Sequence, residues 1–77
     1  MIEWRANEFL WVQVYELLKQ RIEDGTYRPD LPIPSETYLE QELGVAKKTV
    51  RKAVHRLREE GFVYTRRNLG NFVAARE

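Results

Sequence analysis

Residues 33 to 57 have the sequence IPSETYLEQELGVAKKTVRKAVHRL, and this stretch decides the fold. It predicts two short helices joined at Gly44, because glycine adopts the backbone geometry of a sharp turn without strain. The second helix carries basic side chains on one side, at Lys47, Lys48, Arg51, Lys52 and Arg56. Its other side is apolar, at Val50, Ala53, Val54 and Leu57. A helix that is apolar inside and basic outside has the shape and charge to enter a groove of duplex DNA.

The segments before this stretch predict one more helix. Apolar residues recur at helical spacing from about residue 9 to residue 24, and Gly25 follows as a helix-ending glycine does. The inner stripe of this helix consists of Trp11, Val14, Leu18 and Ile22. Residues 26 to 34 hold all the prolines of the chain, so this connector is not helical; we expect a brief strand at residues 31 to 33.

The remaining signals complete the fold. Ser35 is placed to cap a helix that ends near Leu43, and the next helix runs from about residue 47 to residue 60. FVYTRR and FVA then predict two strands around a turn at residues 68 to 71, with Trp11, Phe62, Tyr64 and Phe72 in the core. The fold class is α+β and mainly α. We expect a winged helix-turn-helix over residues 9 to 77, preceded by an N-terminal arm at residues 1 to 8.

Charge is divided unevenly between the two parts of the chain. The formal net charge of the 77 residues is only +1. Residues 1 to 45 hold 4 basic and 9 acidic side chains, whereas residues 46 to 77 hold 9 basic and 3 acidic side chains. The balance is therefore −5 in the first part and +6 in the second. This polarity indicates that the C-terminal part faces a polyanion.

Several classes of function are disfavoured by composition. The chain has no cysteine and one histidine, which excludes a disulfide framework, a thiolate metal site and a site built from several imidazoles. The carboxylates of Glu40, Glu42, Glu59 and Glu60 lie on outer helix faces or helix ends without a nucleophile, so we expect no enzyme activity. We expect no cofactor, no metal and no membrane partner, because no apolar run has membrane-spanning length. The expected location is the bacterial cytoplasm.

An ordered set of motifs resembles a known family. The set comprises Leu10-Trp11-Val12-Gln13-Val14, Gly25, Pro29, Ile33-Pro34-Ser35-Glu36, Leu43-Gly44-Val45, Thr49-Val50-Arg51, Leu57, Glu60-Gly61, Gly70 and Phe72-Val73. In this order and spacing they resemble the DNA-binding domain of the GntR family of bacterial transcription regulators. The resemblance implies a bacterial, phage or plasmid regulator that binds operator DNA, usually as a homodimer on a palindromic site.

The resemblance also implies which residues contact DNA. Family members use the start of the recognition helix for bases and phosphates, and the wing for an adjacent minor groove. By position these contacts fall on Ala46, Lys47, Lys48, Thr49, Arg51, Arg67 and Asn68. Their charge indicates that Lys52, Arg56, Arg66 and Arg67 contact phosphates, which position the protein without specifying sequence. His55 either approaches a phosphate or is merely solvated. The basic face itself has a plainer alternative, a solvated helix surface.

Some positions depart from the family pattern. Thr37 stands where arginine is common, so a frequent DNA contact is shortened or lost. Ala46 replaces a serine or threonine that would cap the recognition helix, and Lys47 replaces an arginine. In the wing, Leu69 stands where a basic residue is usual and cannot bind phosphate; we expect an exposed turn residue. Asn68 can still adopt a left-handed conformation.

These patterns predict a transcription regulator, a repressor that occludes a promoter on the nucleoid. Family members generally carry a C-terminal domain that binds an effector and dimerises, and no small-molecule effector is expected within residues 1 to 77. One alternative is an architectural or excisionase-like DNA-binding protein of a mobile element, for which DNA bending is the main activity. The other is a winged-helix module that binds protein through its acidic first helix.

Overall fold

The computed structural model describes residues 3–75, which form three helices followed by a two-stranded antiparallel sheet. The elements are α1 (Leu10–Glu23), α2 (Glu36–Leu43), α3 (Lys47–Glu59), β1 (Val63–Arg66) and β2 (Gly70–Val73). The predicted winged helix-turn-helix is confirmed, with each helix end within about one residue of its expected place. No helix among residues 3–75 is long and apolar enough to cross a membrane.

The turn between α2 and α3 follows from local chemistry. The Ser35 side chain accepts a hydrogen bond from the Tyr38 backbone N–H at 3.1 Å, which caps α2 as predicted. Gly44 ends α2 with φ at 68°, in the left-handed region, and its N–H donates to the Glu40 carbonyl. Ala46 then starts α3 without any side-chain cap. The two helices of the motif are therefore joined by only three residues.

The core lies where α1, α2, α3 and the hairpin meet. Its buried apolar residues are Val14, Leu18, Ile22, Ile33, Leu39, Leu43, Val45, Val50, Ala53, Val54, Leu57, Phe62, Val63 and Val73. All the apolar positions predicted for the inner face of α3 are among them. Val45 fills the corner behind Gly44 and is 6% exposed. This packing fixes which side of α3 faces outward.

The wing is a short hairpin reinforced by the connector before α2. Val63 pairs with Val73 and Arg66 pairs with Gly70. The brief strand predicted at residues 31 to 33 is not formed as such. This segment lies beside β2, where a single bridge joins Pro32 to Phe72 and the Ile33 N–H donates to the Asn71 carbonyl at 2.9 Å. The turn predicted at residues 68 to 71 is shorter in the structure, because Gly70 and Asn71 already pair with β1.

Two residues of α1 differ from the sequence prediction. Trp11 is half-buried and lies outside the core, and the buried stripe starts at Val14. Gln13 is instead only 5% exposed. Its amide accepts from the Arg5 N–H at 2.6 Å and donates to the carbonyls of Arg5 and Glu8, which ties residues 5 to 8 to α1. The buried amide of Gln13 is thus hydrogen-bonded to residues 5 to 8. The apolar periodicity of the sequence does not reveal such a contact.

Tyr64 and Phe72 are also less buried than predicted. Phe62 is buried in the core, whereas Tyr64 and Phe72 are half-buried and stack on each other across the hairpin at 5.8 Å between ring centroids. The Tyr64 hydroxyl donates to the Asp30 carboxylate at 3.2 Å. A two-stranded sheet has one covered face, so these rings stabilise the hairpin from its open side.

Candidate nucleic-acid interface

The outer side of α3 carries the exposed basic residues. Lys48, Arg51, Lys52 and His55 are exposed and lie three or four residues apart, so they share one face of the helix. This face is opposite the buried side of α3, which packs on α1 and α2. The first turn of α3 also contains Lys47 and Thr49, both half-buried. The structure therefore brings the predicted contact residues of α3, apart from Arg56, together on this face and in the first turn of the helix.

Arg51 is held by a carboxylate from α2. Its Nη2 donates to Glu36 Oε1 at 3.0 Å, and its Nε lies 3.3 and 3.4 Å from the two carboxylate oxygens. This hydrogen bond, with the charge of Glu36, raises the pKa of the Arg51 guanidinium above its usual value. The sequence placed no acidic residue near this run of cations before Glu59. Helix crossing brings Glu36, fifteen residues away in sequence, to Arg51.

The lysines of α3 have different surroundings. The Lys52 ammonium lies 4.9 Å from the centre of the Trp11 ring, so this cation contacts α1. Lys47 and Lys48 form no ion pair with any residue in the described range 3–75. Their positive charge at the start of α3 adds to the positive end of the helix dipole. This end of α3 is therefore a centre of uncompensated positive charge.

Arg56 and His55 are engaged within the domain. Arg56 Nε donates to Glu60 Oε2 at 2.8 Å, and Glu60 also accepts a hydrogen bond from the Tyr15 hydroxyl of α1. Both bonds lower the pKa of the Glu60 carboxyl, the Tyr15 bond most. His55 Nε2 lies 3.4 Å from Glu59 Oε2. Arg56 thus lies toward α1, at the flank of the basic face.

The tip of the wing carries both basic and apolar side chains. Asn68 has φ at 66°, the left-handed conformation predicted for it, and the Leu69 N–H donates to the Arg66 carbonyl at 3.0 Å. Leu69 is 63% exposed, as expected for a turn residue. Arg66 and Arg67 are exposed on either side of this turn's start, and the Arg66 guanidinium lies 5.8 Å from the Phe72 ring.

A cleft of about 540 Å³ separates the wing tip from the start of α2. Its wall includes Thr37 on one side and Leu69 on the other, with Val54 of α3 between them. Thr37 therefore faces the same cleft as the wing tip. Its side chain is short and uncharged, so α2 contributes no basic side chain to this cleft at residue 37.

Arg58 joins α3 to the wing, a role that the sequence did not indicate. Its Nη1 donates to Thr65 Oγ1 at 3.0 Å, and Thr65 in turn donates to the Asn71 side chain at 2.7 Å. Its Nη2 donates to His55 Nδ1 at 3.0 Å. A basic residue in the last turn of a helix is common, because its charge interacts favourably with the helix dipole. An arginine at this position therefore did not indicate a contact with the wing.

Comparison with known proteins identifies the family. The family model described as "Bacterial regulatory proteins, gntR family" matches residues 10–73, which is most of the chain and includes every helix and both strands. The chain belongs to the gntR family. The resemblance drawn from the sequence motifs is thus confirmed over the same residues.

The curated relatives of this GntR-family chain are regulators rather than enzymes. It is 37% identical over 65 residues to the transcriptional repressor NagR of Bacillus subtilis (strain 168), a match that covers 84% of this chain and 27% of that protein. It is 40% identical over 63 residues to the arabinose metabolism transcriptional repressor of Halalkalibacterium halodurans, covering 82% of this chain and 17% of that protein. The chain spans about a quarter or less of these relatives' length.

A solved structure of a related domain has the same fold. The DNA-binding domain of AraR in complex with operator ORR3 superposes with a TM-score of 0.80 at 35% identity, covering 96% of this chain and 93% of that chain. The match includes the helices and the hairpin wing. The domain of this GntR-family chain is therefore a winged helix-turn-helix of the kind that was crystallised on operator DNA.

Proposed function

We propose that this domain binds a specific sequence of duplex DNA and that the protein represses transcription by occupying a promoter. The observation that carries the proposal is the exposed basic face of α3, which stands on a helix-turn-helix whose structural relative was crystallised on an operator. Association with the bacterial nucleoid in the cytoplasm follows from this activity. The names of the curated relatives support repression.

The start of α3 enters the major groove in this proposal. Lys47 and Lys48 lack ion pairs within the described part of the chain, so a phosphate or a guanine edge relieves their mutual repulsion. Thr49 is short enough to meet a phosphate or a thymine methyl group. Arg51 offers a planar fork to guanine O6 and N7, which a lysine cannot do. These side chains supply the sequence preference, and Ala46 allows close approach of the backbone.

The flanks of this surface contact the phosphate backbone. Their side chains are Lys52, His55 and Arg56 from α3, with Arg66, Arg67 and Asn68 from the wing. Phosphate contacts fix the orientation of the protein on DNA and carry no sequence information themselves. To contact a phosphate, Arg56 must break its hydrogen bond to Glu60, which costs free energy. We therefore propose that Arg56 is the weakest of these phosphate contacts. Thr37 contributes at most one short hydrogen bond.

Two copies bind together in this proposal, as a homodimer on a palindromic operator. A single domain has one recognition helix, and one helix reads too few base pairs to select a site in a genome. The two half-sites would then be related by the two-fold axis of the dimer.

Selection from random duplex oligonucleotides tests the proposed function. The 77-residue chain is incubated with the pool, and the bound duplexes are recovered and sequenced over several rounds. We expect one enriched sequence with two inverted half-sites, whose centres are about 10 base pairs or a multiple of that spacing apart. Recovery of duplexes without any common sequence would contradict specific binding.

A circular-permutation bending assay on the enriched duplex separates a repressor from an architectural protein, which would bend it strongly.

A further inference from the structure

Glu36 and Arg51 form an ion pair that links the two helices of the helix-turn-helix. Glu36 lies in the first turn of α2 and its side chain is 31% exposed, whereas the Arg51 side chain is 65% exposed. The carboxylate contacts only the Nε and Nη2 edge of the guanidinium, at 3.0 to 3.4 Å. Both N–H groups of Nη1 and one of Nη2 therefore remain free of this carboxylate on the end of the fork.

We propose that Glu36 is a positioning residue that makes Arg51 select a base rather than a phosphate. This inference rests on the proposed function, because it concerns how the DNA-binding surface discriminates between sequences. The carboxylate fixes the side-on edge of the guanidinium and directs the end of the fork outward, where two parallel N–H groups match guanine O6 and N7. An arginine held in this way loses less conformational freedom when it binds.

The charge of Glu36 has a second effect on DNA. A phosphate that approached the Arg51 fork from the side would meet the carboxylate at close range, and like charges repel. Contact with phosphates supplies nearly all of the affinity for non-specific DNA. Glu36 therefore weakens binding to any duplex on which Arg51 has no guanine edge to contact. The difference between operator and random DNA grows as a result.

Glu36 also contributes to folding stability. The test must distinguish this role from the proposed effect on DNA selectivity. An acidic residue in the first turn of a helix interacts favourably with the helix dipole, and an exposed ion pair adds little to folding stability. If that were its whole role, replacing it would change the melting temperature and would leave the discrimination between duplexes unchanged. The second ion pair of α2 offers a matched control. Glu42 pairs with Arg21 of α1 at 3.0 Å, rather than with a residue of α3.

The experiment compares Glu36→Gln with Glu42→Gln in the 77-residue chain. Fluorescence anisotropy gives the affinity for the duplex enriched by selection and for a shuffled duplex of the same composition, over a range of NaCl concentrations. We expect Glu36→Gln to reduce the ratio of the two affinities about tenfold, mainly by tightening the shuffled complex. On the shuffled duplex its log–log salt slope should steepen by about one phosphate contact. Glu42→Gln should leave the ratio as in the native chain.

A double variant decides whether Glu36 acts through Arg51. In an Arg51→Ala background, Glu36→Gln should no longer change the ratio of the two affinities, because the side chain that it positions is gone. A native ratio and salt slope in Glu36→Gln would overturn this inference alone. So would an equal drop of the ratio with and without Arg51. If the native chain itself binds both duplexes equally, the proposed function fails, and the inference fails with it.

Discussion

Ala46 begins the recognition helix without a side-chain cap, and this position is open to improvement. Its backbone is already extended, with φ at −65° and ψ at 147°, as in a capping residue. Ala46→Ser would let the hydroxyl accept the Thr49 N–H, which now donates to the Ala46 carbonyl at 3.0 Å, in the way that Ser35 accepts from Tyr38. We expect a gain of about 1 kcal/mol in the free energy of unfolding, which raises the melting temperature by about 4–8 °C. Ala75→Ser, outside any helix, is the control; equal melting temperatures for the two variants would contradict the capping role.

Gly44 carries the turn of the helix-turn-helix through its backbone alone. A Cβ added to Gly44 would meet nothing within 4 Å, so a substitution there creates no clash. Its φ of 68° is nevertheless unfavourable for any residue with a side chain. Gly44→Ala should lower the free energy of unfolding by about 1 kcal/mol, and Gly44→Asn by less, because asparagine tolerates this conformation. Urea denaturation of both variants measures the difference, and alanine as stable as glycine would contradict it.

The carboxyl of Glu60 makes the folding stability of the domain depend on pH in the acidic range. Hydrogen bonds from Tyr15 and Arg56 lower the folded pKa of Glu60 below its ordinary 4.5. A lowered folded pKa contributes stability that is complete above the unfolded value and is lost as pH falls through the folded value. Tyr15→Phe removes the larger of these two causes. Thermal melts between neutral and acidic pH should therefore show a shallower acid loss for Tyr15→Phe than for the native chain. Parallel curves would contradict this assignment.

Single residues were predictable from the sequence where their effect is local. Ser35, Gly44 and Asn68 act within three or four residues of themselves, so their types alone indicated a cap, a turn and a left-handed position. Glu36 and Gln13 were not predicted in their full roles. Their partners lie fifteen and eight residues away in sequence, and the crossing of two helices or the path of an arm decides whether they meet. Such contacts leave no periodic signal in the sequence.

At the scale of elements, the wing depends on its attachment to α3. Arg58 bonds to Thr65 of β1, and Thr65 bonds to Asn71 of β2, so one side chain of α3 connects to both strands. Arg58→Ala should increase amide hydrogen exchange in β1 and β2, with little change in α1, because the hairpin loses a contact that holds it to the helix. Arg56→Ala, which breaks a bond to Glu60 instead, is the control. Unchanged exchange in the wing would show that the hairpin packs without Arg58.

The elements themselves were predictable, and their pairing was less so. Apolar spacing, caps and glycines predicted all three helices to within about one residue, whereas the hairpin was predicted with a longer turn than it has. Trp11 fits the helical stripe by spacing, but its ring is only half-buried and lies beside the Lys52 ammonium of α3. A brief strand before α2 was expected, but this segment forms only a single bridge. Its place beside β2 was not predicted, because pairing depends on the path of the connector.

Across the whole molecule, charge separation predicts how DNA binding responds to salt. The cations gather on α3 and the wing, whereas α1 and α2 carry much of the acidic charge. Four of the proposed phosphate contacts are lysines or arginines, namely Lys52, Arg56, Arg66 and Arg67. With a contribution of about 0.9 for each, the log–log salt slope on shuffled duplex should be about −3.6 per bound domain. Affinity independent of NaCl, measured by anisotropy, would contradict an electrostatic footprint of this size.

The identity of the surface that reads DNA is tested most directly by one pair of variants. Lys48→Ala removes a charge from the outer face of α3, and Arg28→Ala removes the same charge from the connector near the base of the hairpin, away from the wing tip. Gel-shift titration of the selected duplex should show binding weakened by about 1–3 kcal/mol for Lys48→Ala if it contacts a base, and near-native affinity for Arg28→Ala. Native affinity of Lys48→Ala, or an equal loss in both variants, would contradict the assignment of α3 as the recognition helix.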